Sequence, residues 1–205
     1  MSSITFPKAR ILAFNDAIFS IAITLLVLDI DIPDSNAINT YGIWNVLGNL
    51  IPNFIGFFVS FLVISLYWIS NLKFSKYISD YDNNLLWLNI FLLVFVVLLP
   101  FSTAFYVNSF NVDVAFQVYC LNLIFLGLFN FLMIRRVAIL NKDMPAIVVK
   151  WLKFRSLNVV LIWVVSFALA AVLPHLISRL LFVLIFVFQF FGDRYFKKRE
   201  LLKKL

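Results

Sequence analysis

The sequence predicts an all-α, polytopic membrane protein, and three observations carry that expectation. The 205-residue chain is 63% hydrophobic and 13% charged, against roughly 45–50% and 25% in an ordinary soluble domain, and its mean hydropathy is +1.00. Six stretches reach the roughly 20 apolar residues that cross a bilayer core as a helix: Ile11–Ile32, Leu50–Asn71, Asn84–Tyr106, Val112–Ile134, Phe154–Leu173 and Leu176–Tyr195. The basic residues collect in alternate intervening segments rather than spreading along the chain. This composition excludes a soluble enzyme, a nucleic-acid-binding module and a disordered regulator. The alternation of a membrane β-barrel is absent, and continuous apolar runs such as Phe91–Leu99 call for helices.

Taken in order, the spans carry their own boundary chemistry. Pro33 stops the first span after Ile32, and Asn15 and Asp16 interrupt its early turns. It is long enough to cross and no small-residue cleavage site follows it, so it reads as a retained helix rather than a signal peptide. Pro52 suits a helix start, where its missing N–H would be unpaired anyway. Pro100 lies inside the third span, where it frees a carbonyl that the Ser102 and Thr103 hydroxyls are placed to satisfy, with a kink expected. Cys120, the one cysteine, sits in the fourth span as a buried thiol, so no intrachain disulfide and no cysteine-based metal site can form. Pro174 separates the last two spans with almost no loop, which makes them an antiparallel hairpin. No inverted repeat of the transporter kind stands out. With a cytoplasmic N-terminus, sixteen of the seventeen Lys and Arg residues fall on the inside and only Arg179 lies toward the outside, so both termini are expected in the cytoplasm. The whole of 1–205 then forms one transmembrane domain. The +7 net charge is accounted for by this placement, and no nucleic-acid partner is expected.

Few side chains can carry chemistry. Ionisable groups within a span are functional candidates by default, and the first span offers Arg10 and Asp16 near its start. Each either pairs with a neighbouring helix or subunit, or sits at the interface and snorkels. Higher up, Ile21, Thr24, Leu25 and Leu28 share one helical face, in line with Arg10, Phe14 and Ala17. By periodicity alone such a stripe is a packing or lipid-facing surface. Asp29, Asp31 and Asp34 form an acidic rim that is either a solvated loop or the mouth of a cation path. His175 is the only histidine and reads as a solvated loop residue, so metal clusters and histidine-based nucleophilic catalysis are poorly supplied. There is no glycine-rich phosphate loop, no carbonyl selectivity filter and no arginine-repeat voltage sensor. The tail with Lys197, Lys198, Arg199, Lys203 and Lys204 anchors the last helix to anionic headgroups.

Arg10-xxx-Phe14-Asn15-Asp16 resembles the RxxxFSD signature of the transmembrane protein 175 potassium channel family. Trp68-Ile-Ser-Asn71 is similar to the family's WxxH pattern on its second helix. The segment from Asn89 through Leu99-Pro100-Phe101-Ser102-Thr103-Ala104 is similar to its third-helix LLPFxTA. The resemblance implies a channel of modest potassium selectivity without a carbonyl filter. Its first helix lines the pore, Arg10, Phe14, Asn15, Asp16, Trp68 and Asn71 form a network holding that helix, and Ile21 is the apolar constriction, followed by Thr24, Leu25 and Leu28. It also implies a homotetramer of a single-repeat member, in which Asp29, Asp31 and Asp34 ring the outer mouth. Potassium is then the permeant ion, with no cofactor and no other metal.

Two positions depart from the pattern: Asn15 stands for the signature serine and Asn71 for the WxxH histidine. Both still hydrogen-bond, and contact between them is one way they compensate. Loss of the histidine implies weaker proton sensitivity through this network. Two other readings stay open on the residues alone: a small secondary transporter using Asp16 and Arg10, and a non-conducting membrane scaffold.

Overall fold

A computed structural model describes residues 5–202. A short strand β1 (Thr5–Pro7) leads into α1 (Lys8–Leu25), which tightens into a 3₁₀ turn over Leu26–Asp29. Two short helices, α2 (Ser35–Tyr41) and α3 (Ile43–Asn49), precede α4 (Ile51–Ser75). Strand β2 (Asp80–Asp82) opens α5 (Asn83–Asn108), followed by α6 (Asp113–Leu140), α7 (Ala146–Leu169), α8 (His175–Leu180) and α9 (Val183–Leu202). Among the described residues the regular structure is helical apart from the small ribbon, as the composition requires. Among the described residues five helices are long and apolar enough to cross a membrane: α1 with its 3₁₀ turn, α4, α5, α6 and α7. The protein is a multi-pass membrane protein.

Several boundaries differ from the sequence expectation for identifiable reasons. The first helix leaves α geometry at Leu25 rather than reaching Ile32, because its last turn tightens around Leu26, which is buried. The segment read as a loop after Pro33 holds α2, capped by Asp34, and α3, with Gly42 at φ +80° making the break between them. The fifth span begins at Ala146, eight residues before Phe154. Pro145 sets its start, and Lys150, Lys153 and Arg155 lie on the helix rather than ahead of it. The stretch Leu176–Tyr195 is broken at Leu181–Phe182 into α8 and α9, and His175 opens α8 instead of sitting in a loop. The side chains of His175, Lys198 and Arg199, and all of Lys203 and Lys204, lie outside the described residues. Pro52 stands in the first turn of α4, where its ring is tolerated.

The proline inside α5 is handled differently from expectation. Ser102 and Thr103 do donate to a backbone carbonyl, but to that of Leu99, at 3.1 and 2.8 Å. The carbonyl left free by Pro100 belongs to Val96, four residues earlier. A serine or threonine hydroxyl reaches back only three or four residues, so it cannot serve that carbonyl, and α5 nevertheless runs unbroken from Asn83 to Asn108.

The core lies where α5, α6 and α7 pack in sequence, with Leu85, Leu92, Val96 and Leu99 of α5 against Cys120, Leu123 and Leu126 of α6, all essentially inaccessible. Close approach at α6 depends on Gly127, where a Cβ would fall 2.7 Å from Val160 Cγ2 and 2.9 Å from Tyr67 Oη, the usual reason for small residues between membrane helices. Buried polar groups stitch the layers. Ser60 meets Thr103 at 2.8 Å and Tyr119 at 3.1 Å, Asn122 donates to Ser102 at 3.0 Å, and Asn130 donates to Ser156 at 3.1 Å. Each contributes about 0.6 kcal/mol by the average for such bonds in a bilayer. The pairing of α7 with α9 rests on Arg155, which grips Asp193 at 2.7 and 2.5 Å and Gln189 at 2.7 Å, while Trp151 Nε1 donates to Asp193 at 2.7 Å.

The ribbon ties the start of α1 to the start of α5. β1 and β2 pair antiparallel, with Thr5 opposite Asp82 and Phe6 opposite Tyr81. Asp82 accepts the N–H of Leu85 at 2.9 Å, capping α5, and is ion-paired to Arg136 of α6. Partial burial pushes the Asp82 carboxyl up, but Arg136 and the Leu85 N–H outweigh it and hold the group below its ordinary value. A depressed carboxylate stabilises the fold above its unfolded value of roughly 4, and that stabilisation is lost as pH falls through the lower folded value. Asp82→Asn is therefore expected to flatten the acid limb of thermal stability below about pH 4. A variant that keeps the wild-type slope there clears Asp82 of this role.

Candidate functional site

α1 presents two unlike faces. Ile11, Asn15, Phe19, Ala22 and Leu26 recur at helical spacing and are buried against the rest of the chain. Arg10, Phe14, Ala17, Ile21, Thr24, Leu25 and Leu28 recur on the other side and are exposed, Ile21 at 57% and Leu28 at 73%. The protomer thus leaves uncovered the very stripe that the sequence set apart. Thr24 donates its hydroxyl proton to the Ile21 carbonyl at 2.9 Å. That bond consumes the hydroxyl's one donor and leaves acceptor capacity on its oxygen.

The residues flanking this stripe fix α1 between two helices. Asn15 and Asn89 of α5 exchange a reciprocal pair of amide hydrogen bonds, 2.9 and 2.8 Å, with both side chains buried. One residue on, Asp16 points about 100° away around the helix and accepts the indole N–H of Trp68 on α4 at 2.9 Å. Two adjacent polar residues therefore bind two different helices. The signature residues divide accordingly: Asn15 and Asp16 anchor, whereas Arg10 and Phe14 lie on the exposed stripe. Among the described residues Arg10 forms no ion pair within the chain. Asn71 is buried in α4, but its Nδ2 has no partner and Asn15 is committed to Asn89. Asn89 is the residue whose role the sequence reading missed. An amide in the middle of an apolar span was the available signal, because it has to find a partner there.

The three outer aspartates are not equivalent. Asp29 is partly buried at the end of the 3₁₀ turn, with its backbone carbonyl accepting from Asn53 Nδ2 at 3.3 Å and its Oδ2 buried without a partner. Asp31 is exposed. Asp34 accepts the N–H of Asn36 at 3.3 Å and so serves as the cap of α2.

Comparison with known proteins places this arrangement. A family model described as the endosomal/lysosomal potassium channel TMEM175 matches residues 10–100, from Arg10 to Pro100. A crystal structure of a lysosomal potassium-selective channel TMEM175 homolog from Chamaesiphon minutus superposes with a TM-score of 0.79 at 26% identity, covering 91% of this chain and 98% of that one. Over residues 10–100 the chain is similar to the TMEM175 family. A potassium channel of Streptomyces collinus is 36% identical over 125 residues, 59% of this chain and 60% of that relative. One from Chamaesiphon minutus is 37% identical over 95 residues, 46% and 47% of the two chains. The chain thus spans about half to three-fifths of the length of these curated relatives. The matched TMEM175 segment encloses both anchors of α1, Asn15–Asn89 and Asp16–Trp68. TMEM175 is a family of ion channels, not of enzymes.

Proposed function

We propose that this protein is a potassium-permeable, modestly selective cation channel of the cell membrane, a homotetramer with a central pore lined by α1. The observation that carries the reading is the uncovered stripe of α1. A helix anchored on one side by buried amides and bare on the other is built to face something outside its own chain. One chain supplies one such helix, so a closed pore needs several copies around an axis. In this reading residues 1–205 form a single domain, α8 and α9 together make the sixth crossing, and both termini are cytoplasmic. A ring of Ile21 side chains narrows the path and gates it by dewetting. Thr24 oxygens beside the ring replace part of the hydration a cation loses there. Potassium is the permeant, no cofactor takes part, and lipids complete the surroundings.

The test is potassium flux into proteoliposomes of the purified protein under an imposed gradient, with Ile21→Ala in parallel. Flux driven by membrane potential supports the channel; silence in both proteins, or saturating uptake coupled to a second ion, overturns it. The acidic rim gives a separate expectation. Neutralising exposed Asp31 together with Asp29 lowers conductance chiefly at about 0.01 M salt, where the Debye length is roughly 30 Å, and little at 1 M, where it is about 3 Å. An equal loss at both salts removes the rim from the conduction path.

A further inference from the structure

Arg179, the one basic residue that the charge count set apart from the rest, is 7% exposed. It lies in α8 at the wall of a cavity of about 140 Å³ whose lining is overwhelmingly apolar, including Pro52, Ile55, Leu180 and Phe182. Its guanidinium is caged by the rings of Phe110, Phe116 and Tyr106, whose centroids stand 4.6, 5.4 and 5.7 Å away. Nη2 donates to the Phe110 carbonyl, whereas Nε and Nη1 are buried with no partner. Aromatic faces stabilise the charge and the Tyr106 hydroxyl interacts with the guanidinium, yet Nε and Nη1 remain without a hydrogen-bond partner. A guanidinium cannot shed its proton to escape the penalty, as a lysine can. Nη2 carries a second N–H, and with the free Nε–H or Nη1–H beside it it forms a two-donor edge that matches the two oxygens of a carboxylate or phosphate.

We propose that this cavity binds the oxyanion headgroup of an anionic phospholipid, with the lipid's apolar part lying over Ile55, Leu180 and Phe182. The lining selects this source. A free phosphate entering an apolar cavity loses its hydration and regains only one guanidinium edge, whereas a lipid brings its oxyanion attached to chains that the surrounding surface already favours. Ile55 and Leu180 are each about half exposed, so the cavity has an edge open toward the chains.

The experiment is the thermal unfolding of the full chain in phosphatidylcholine nanodiscs, with and without phosphatidylglycerol, and with inorganic phosphate in a third arm. Phosphatidylglycerol is expected to raise the unfolding temperature by on the order of 5 °C, as a ligand well above its dissociation constant does, and phosphate is expected to leave it unchanged. Arg179→Lys, which keeps the charge but loses the fork, should reduce the increment. Leu180→Trp, which fills the cavity edge and leaves Arg179 intact, should abolish it. The proposal is overturned if wild type shows no increment, if Leu180→Trp keeps it in full, or if phosphate alone reproduces it.

Discussion

Replacing Ile21 with alanine is expected to raise potassium conductance severalfold and to narrow the difference between potassium and sodium currents. Ile21 is the bulky residue midway along the uncovered stripe, 57% exposed on the protomer, so its side chain is free of packing duty within its own chain. Truncation therefore leaves no core cavity and should cost little stability, unlike the same change at a buried isoleucine. In the four-fold ring proposed above, the change removes three carbons from each side of the path. A constriction that works by excluding water loses its barrier as it widens, and a reduction of only about 1 kcal/mol is roughly a fivefold rise in rate. Discrimination falls with it, because an ion that keeps its hydration shell is not sorted by size. Single-channel recording in potassium and in sodium reads both effects. Unchanged currents in a variant that still assembles place the constriction elsewhere on the helix.

Asn89→Leu is expected to destabilise the protein by about 2 kcal/mol and to disturb conduction although Asn89 touches no part of the stripe. The substitution nearly preserves volume but strands both polar atoms of Asn15 in a buried site, where an unsatisfied group costs roughly 1–3 kcal/mol; averages for interhelical bonds in bilayers hold the sum toward the lower end. Asn15→Leu should do the same from the other side. The double variant should be more stable than either single one, since two leucines leave nothing unpaired. Unfolding of all four proteins in mixed micelles yields the coupling directly. Additive losses would mean that the two amides, despite their 2.8 and 2.9 Å contacts, act independently. The conduction change follows because Asn15 fixes how far α1 is turned about its own axis, and with it which residues the stripe presents.

Much of this was readable in the amino-acid order. Apolar length alone located the five long apolar helices α1, α4, α5, α6 and α7 but not the break of the sixth stretch into α8 and α9, and spacing of three and four found the stripe on α1, because lateral position on a helix follows from its period. Helix ends were less legible. Lys150, Lys153 and Arg155 interrupt an apolar run without interrupting a helix, since long basic side chains reach the interface from within it and Arg155 finds Asp193. The partner of Asn15 was not legible either. Asn71 and Asn89 are both amides in apolar spans, and only the packing of α1 against α5 decides between them. The ribbon was invisible for a related reason: three-residue strands carry no period, and their pairing is a matter of which segments the helices bring together.

That ribbon also bears on the order of assembly. Phe6 meets Tyr81 and Asn15 meets Asn89, so both contacts close the same loop of about 75 residues. Closing such a loop in a flexible chain costs about 4 kcal/mol in entropy, and whichever contact forms first relieves the other of that cost. The two are thus cooperative without touching. They should appear together and late, once α4 has returned the chain to the side where it began. Loss of either one leaves the loop closed by the other, so the amino-terminal helix is held by a redundant latch rather than by a single bond.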